Sequence, residues 1–498
     1  MSLTKGLRIP LRIGSRKCRC FSTSPRYYQA GPIDGPLQEA ENVHSIVNLA
    51  ARVRELDSKV TRTSQHRLPT RLTSRSWADE AKARATRGAN TSGTSMLKLD
   101  AKLERQLSES KRMMASYVEL TLPFRSMPEL LEKYIATSGG IRLGKVFEDL
   151  DNLAGMYTFA LNSLCVAHNA LLYMTGDISY THTLGGRPGP SDTINPVYIV
   201  TASVDRLDLV QPLRADRDYK LSGMVIYVGT SSMEVLVTVE EVAETQGGDS
   251  KICLTGRFTM AARNAITGKS QRIPPLNLSS KEEEGLFSFG QAHKRRKALE
   301  AQTSLQKVPP TVSEASLLHT LYLAEQEDDS SKSTVKISDT ALYNTSHMHP
   351  QQRNVHMNVF GGYLIRSSYE LAWMAAALYA NQPVNFLSLD ALSFHLPVSI
   401  GTVLTLSSHV TYTNNYKDLE GKSQDEKSAA IASVVVVAEI NEVATGLRKR
   451  SNTFHYSFDL GTKIKKRVTP ESYAETLSWI EGKRRVELGQ EVRKNYRR

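Results

Sequence analysis

The 498-residue chain carries 63 Lys and Arg against 51 Asp and Glu, a net charge of +12, with 40% hydrophobic residues. No apolar run reaches the roughly 18 residues of a membrane-spanning helix, so a soluble protein with no transmembrane segment is expected. The charge excess sits at the two ends, leaving a nearly neutral body that argues against a nucleic-acid-binding surface.

Residues 1–21 hold Lys5, Arg8, Arg12, Arg16, Lys17 and Arg19, with no acid before Asp34. Basic, hydroxyl-rich and acid-free, this stretch has the composition of a mitochondrial transit peptide. Arg19-Cys20-Phe21-Ser22 suits cleavage near Phe21/Ser22, and the expected location is the matrix. Cys18 and Cys20 form a C-x-C without a second pair, so no zinc site is expected there.

Residues 22–111 are polar and read as an N-terminal extension, with one short helix over Val43–Leu56. A first folded unit follows over 112–275: a strand at Ser116–Pro123, a long helix from Lys145 to about Tyr173, and strands at Pro196–Val204, Tyr219–Val228, Met233–Val242 and Lys251–Ala262. Residues 276–335 are charged, contain Pro309-Pro310, and read as a linker with some helix. A second unit over 336–460 has a strand at Val335–Tyr343, a helix at Gly361–Ala380 and strands at Val384–Phe394, Val403–Tyr412, Ala429–Asn441 and Leu447–Phe458. Residues 461–498 read as a basic, solvated tail.

The two units are copies. Asp205 is followed by Pro212 and Ser222 at the offsets that separate Asp390 from Pro397 and Ser407. The helix starts also align, IRLGKVFEDLDNLAG against NVFGGYLIRSSYELA. A duplicated domain of one long helix and several antiparallel strands is expected, the helix covering the sheet's concave face.

The densest polar stretch precedes the second helix, with His347, His349, Gln351, Gln352, Arg353, Asn354, His356 and Asn358 followed by Gly361-Gly362. Helix-start N–H groups lack intrahelical partners and form a ready anion or oxyanion site. His347 and His349 have no carboxylate in the same loop, so loop packing is preferred to metal binding. Gly-x-Ser-x-Gly, phosphate-loop and dinucleotide fingerprints are absent.

Arg142–Asp151, Gly229–Glu234 and Gln352–Gly362, set in this duplicated pattern, resemble the acyl-CoA thioesterase family, in its mitochondrial double-hotdog branch. The resemblance implies an α+β fold of two tandem hotdog domains paired as an intramolecular pseudo-dimer. It implies hydrolysis of acyl-CoA to fatty acid and coenzyme A by water, with no cofactor beyond the thioester substrate, and it is compatible with a homo-oligomer. Asn354, seven residues before Gly361, matches the family's Asn or Asp that positions the carbonyl or the water.

The chemistry requires oxyanion donors, for which Gly362 N–H is suited, and a carboxylate base. Asp151 is the preferred base, with Asp149 and Glu370 as alternatives, because an acid amid an apolar helix is costly without a role or partner. Gly361, His356, Arg353, Ser231 and Ser232 are the expected substrate contacts. Arg142, Lys145, Arg353 and Arg366 are cations available for coenzyme A phosphates. Thr137 stands where Asn354 does in the other copy, so one composite site is expected. The competing readings are a non-catalytic acyl-CoA-binding or assembly protein, and hydration of an enoyl thioester. The latter calls for an Asp–His pair at a helix start, and the first half offers no His there.

Overall fold

A computed structural model describes residues 43–58, 110–162, 197–243, 250–264, 268–326, 334–353, 358–415 and 430–496, apart from 444, 462 and 465. In chain order these form α1 (Val43–Ser58), β1 (Lys111–Arg112), β2 (Val118–Leu122), α2 (Pro128–Leu131), α3 (Leu143–Asn162), β3 (Val197–Leu209), β4 (Tyr219–Val228), β5 (Ser232–Glu241), β6 (Lys251–Asn264) and β7 (Leu276–Asn277). They continue with α4 (Lys281–Gln302), α5 (Val312–Gln326), β8 (Thr334–Lys336), β9 (Leu342–His347), α6 (Gly361–Ala380), β10 (Asn385–Phe394), β11 (Val403–Asn415), β12 (Ala430–Asn441), β13 (Arg448–Asp459), β14 (Arg467–Thr469) and α7 (Tyr473–Tyr496).

Ten strands form one sheet in the order β2-β4-β5-β6-β3-β10-β13-β12-β11-β9. The two copies join at β3 and β10, which pair antiparallel with Leu392 opposite Val204 and Leu389 opposite Leu207. Each copy is a hotdog unit: an antiparallel sheet wrapped on a long helix, α3 in the first half and α6 in the second. The sheet's inner face supplies Val225, Val235 and Phe258 in one half and Val434, Phe454, Tyr456 and Phe458 in the other, all fully buried. Against them pack Val146, Phe147 and Leu150 of α3 and Leu364, Ile365, Leu371 and Ala375 of α6. α6 ends where Asn381 turns left-handed at φ 53° and donates its N–H back to Ala377 and Leu378.

α3 and α6 lie side by side across the pseudo-twofold. Arg366 donates to Glu148 at 2.7 Å, and Arg142 pairs with Glu370 at 2.7 Å. Phe147 meets Tyr369 edge-to-face at 5.1 Å.

The repeat extends further than its hydrophobic pattern suggested. The stretch read as a linker carries α4 and α5, and the stretch read as a solvated tail carries α7. α4 and α7 are the matching outer helices of the two halves. Both start on a serine that accepts from the glutamate three residues on, Ser280 from Glu283 N–H and Ser472 from Glu475 N–H, each at 3.2 Å. Each glutamate returns the bond to backbone, Glu283 to Ser279 N–H and Glu475 to Ser472 N–H. Ten residues on, Gly290 and Gly482 lie against Tyr227 and Tyr412, where an added Cβ would come within 2.4 Å and 2.9 Å of the tyrosine Cβ.

Buried apolar residues on α7 (Trp479, Ile480, Val486) anchor a segment whose composition is mostly charged. Its cations are also engaged, Arg484 holding Glu314 of α5 through two bonds at 2.6 and 2.8 Å. The expected strand at Val335–Tyr343 is broken into β8, a 3-10 turn at Ser338–Thr340 and β9. The break has a cause: Thr340 Oγ1 accepts Val410 N–H at 2.9 Å, as Ser116 Oγ accepts Val225 N–H at 3.0 Å in the first half.

Candidate active site

Asp151 sits two turns into α3 and is 1% exposed. Its Oδ1 accepts the Thr201 hydroxyl of β3 at 2.7 Å. Its Oδ2 faces the start of α6 in the other half, 2.9 Å from where a Cβ on Gly361 would stand. That oxygen is buried and accepts no well-aligned hydrogen bond, and the Gly362 N–H is the backbone donor that acts on the carboxylate. Burial pushes the Asp151 carboxyl up to about 6, and Glu148 adds to the shift; the Thr201 hydroxyl and the Gly362 N–H oppose it. A carboxylate so placed is poised to take a proton near neutrality.

The helix start opposite it is built differently from the outer helices. Phe360 is the N-cap of α6 and no side chain caps the first turn. A polar cap would occupy the amides that an oxyanion needs. Gly361 and Gly362 are required by crowding: Gly361 is hemmed by Asp151 and the Phe394 ring, Gly362 by Phe360 and the Glu148 carbonyl. The preceding loop is tied down by Phe360 N–H to Gln352 O at 2.9 Å, Val359 N–H to Val398 O at 2.7 Å, and the Arg353–Val359 bridge. Asn354 and His356 lie outside the described residues.

The other expected residues fall in different places. Arg353 donates to Pro350 O at 2.8 Å at the loop's base. Asp149 points away from Asp151 and accepts the Tyr134 hydroxyl at 2.6 Å; burial raises it to about 6 as well. Glu370 is held by Arg142 beside Gly144, on the opposite side of the pseudo-twofold from Gly361. Lys145 and Arg366 both pair with Glu148 at 2.7 Å. Ser231 and Ser232 end the β4–β5 turn at the same sheet end as Thr201, with Ser232 opposite Ala261 and Thr201 opposite Met260. Two strand spacings, about 10 Å, separate them from Thr201. His347 and His349 are exposed and meet edge-to-face at 4.6 Å.

Thr201, Phe360 and Phe394 are site neighbours that the sequence reading passed over. The repeat held the signal. Aligning Gly144 on Gly361 places Ser368 where Asp151 stands, and aligning Asp205 on Asp390 places Phe386 where Thr201 stands. Ser368 is buried and bonded to the Tyr456 hydroxyl at 2.7 Å. Phe386 packs with Phe147, Tyr369 and Phe458. The pseudo-symmetric position is thus filled with aromatic rings and bridged by the Arg142–Glu370 pair.

No protein-family profile matches the chain. The chain is 31% identical over 384 residues to the human mitochondrial acyl-coenzyme A thioesterase 9, covering 75% of this chain and 77% of that one. It is 28% identical over 346 residues to the chloroplastic acyl-coenzyme A thioesterase 2 of Humulus lupulus, covering 68% of this chain and 70% of that one. Among solved structures, an acyl-CoA hydrolase of Staphylococcus aureus in complex with butyryl coenzyme A aligns at 23% identity and a TM-score of 0.29, over 33% of this chain and 94% of that one. An acyl-ACP thioesterase of Bacteroides thetaiotaomicron aligns at 10% identity and a TM-score of 0.35, over 69% of this chain and 98% of that one. With a relative this similar over three quarters of both chains, and a duplicated hotdog fold, the chain belongs to the acyl-coenzyme A thioesterase family and is an enzyme of acyl-CoA hydrolysis.

Proposed function

We propose that Asp151, Thr201, the first turn of α6 and Asn354 form one hydrolytic site per chain, shared between the two halves. The observation that carries the assignment is the buried Asp151 carboxylate, whose Oδ2 faces an uncapped helix start. The thioester carbonyl lies at the α6 start, where the Gly362 N–H and its neighbours stabilise the developing oxyanion. Asp151 takes a proton from water as it attacks the carbonyl carbon. The tetrahedral intermediate then expels coenzyme A thiolate, which regains a proton, and the carboxylic acid leaves as its anion. Thr201 fixes the carboxylate's rotamer, and Asn354 orients the carbonyl or the water.

Gly361 and the loop residues Arg353 and His356 contact the thioester arm, and the Ser231-Ser232 turn borders the coenzyme A portion. The reaction needs no cofactor beyond the substrate. The relatives named mitochondrial, together with the basic N-terminus, support a matrix location after cleavage near Phe21/Ser22. A homo-oligomer is compatible with this reading, although no contact face is assigned.

The test is thiol release from acyl-CoAs of graded length by purified mature protein. Asp151→Asn should lower kcat by about 100-fold or more, and Asn354→Ala by at least about tenfold. Unchanged hydrolysis in Asp151→Asn sinks the assignment. Absence of thiol from every acyl-CoA with wild-type protein would overturn hydrolysis and leave acyl-CoA binding or hydration of an enoyl thioester.

A further inference from the structure

The inner face of each half carries a matched row of four cross-strand neighbours near the helix start. In the first half the row is Leu221, Val239, Leu254 and Leu209, apolar throughout. In the second half it is Leu406, Ala438, Asn452 and Phe394. Asn452 is the one amide in these rows, and it is fully buried. The Ser451 hydroxyl, which donates to Leu396 O at 2.6 Å, meets one end of this amide, and the other end has no partner. Reversing the amide exchanges the two atoms but still leaves one end unpaired. A buried amide end without a partner costs stability, and nothing in the packing of this half returns it.

Its position relates it to the site. Asn452 lies in register with Phe394, one strand spacing away and on the same face. The Phe394 ring reaches to 3.3 Å from a Cβ built at Gly361, the residue that meets Asp151. Asn452 therefore stands behind Phe394 as viewed from the catalytic carboxylate, on the interior side and away from solvent. Beside it, Ala438 replaces Val239 of the first half and leaves more room.

We infer that Asn452 determines acyl-group specificity, its unpaired amide end hydrogen-bonding a hydroxyl or carbonyl group carried by a short acyl chain. The inference rests on the proposed site, since it takes the acyl group to pass Gly361 and Phe394 into the second half. Turning the half-buried Phe394 ring opens the way to the amide. An oxygenated acyl group then satisfies the unpaired amide end, whereas a saturated chain of equal length buries it against methylene groups.

The test compares butyryl-CoA with 3-hydroxybutyryl-CoA and 3-oxobutyryl-CoA by kcat/KM for thiol release. The wild-type enzyme should favour at least one oxygenated substrate by about tenfold, the effect of one satisfied buried amide end. The two arms show which amide end is free, since a hydroxyl pairs with either end and a carbonyl only with the N–H. Asn452→Leu installs the first half's residue and should abolish or invert that ratio. If that variant does not fold, Asn452→Ala removes the amide without adding bulk and should likewise lose the preference for the oxygenated substrates. Equal wild-type rates for all three substrates, or an unaltered ratio in the folded variant, overturn the role of Asn452 alone. No thiol release from any of them by wild-type protein overturns the site on which it rests.

Discussion

At the scale of single residues, the cost of burying a charge decides how the site works. The Asp151 carboxyl is raised from 3.8 to about 6 because its carboxylate gives up water and gains only Thr201 and the Gly362 N–H in return. The base form is needed for catalysis, so kcat/KM should rise about tenfold per pH unit below 6 and level off above it. Thr201→Val removes a donor that favours the ionised form. It should lower the plateau and move the break in the pH profile upward, a shift that loss of packing alone does not produce.

The linkage to stability has the opposite sense. The folded carboxyl binds its proton more tightly than the unfolded one, so its contribution to stability is highest below about pH 4 and falls as pH rises to about 6. Asp151→Asn should therefore be nearly inactive yet more stable at pH 7, by on the order of 2 kcal/mol in a denaturation titration. Gly361→Ala fails for a different reason. Its Cβ would stand 2.9 Å from Asp151 Oδ2, so activity should fall steeply while secondary structure is kept, as circular dichroism can check.

Elements of this fold divide by how their starts are capped. The outer helices α4 and α7 close their first turns with Ser–Glu boxes, whereas α6 leaves its own uncapped beside the carboxylate. Ser472→Ala should cost about 1 kcal/mol of stability and leave turnover intact. The glycines at the helix–sheet crossings set a sharper test. Alanine gains about 1 kcal/mol of helix propensity, but a clash in a packed interface costs about 1–3 kcal/mol. Gly290→Ala, at 2.4 Å from Tyr227, should lower the melting temperature more than Gly482→Ala, at 2.9 Å from Tyr412.

The outer helices also show how the halves diverged while keeping one charge balance. Asp205 is held by Lys297 of α4 at 2.5 Å and by the Thr259 hydroxyl, and burial is outweighed so that its carboxyl stays below the usual range. Its counterpart Asp390 accepts from Ser457 in the same way. Its cation comes from the first half instead, Arg206 reaching it at 3.0 Å. Gly489 stands at the matching helix position, with Arg206 Nη2 3.1 Å from where its Cβ would be.

For the whole molecule, duplication followed by unequal loss leaves a shared site on one side of the pseudo-twofold and a filled position on the other. Equilibrium dialysis with a non-hydrolysable acyl-CoA thioether should therefore saturate at one molecule per chain, and a stoichiometry of two would refute the filled position.

The sequence by itself determined the duplication, the second central helix, the first as far as Asn162 (the expected continuation to Tyr173 lies outside the described residues) and most strands, because apolar periodicity and matched spacings are local properties of the chain. Gly361–Ala380 is α6 to the residue. It also singled out Asp151, because an acid within an apolar helix is anomalous without any structure. The outer helices escaped that reading: α4 and α7 are mostly charged, and only the few residues facing the sheet report burial. Thr201 escaped it because a threonine in a β-branched run is unremarkable until a carboxylate lies 2.7 Å away. Only the tertiary structure could bring Asp151, Thr201 and Gly361 together, or set Phe386 and Ser368 into the opposite position. Those contacts join residues about 50 to more than 200 positions apart, and their distances are decided by how β3 meets β10 rather than by any segment alone.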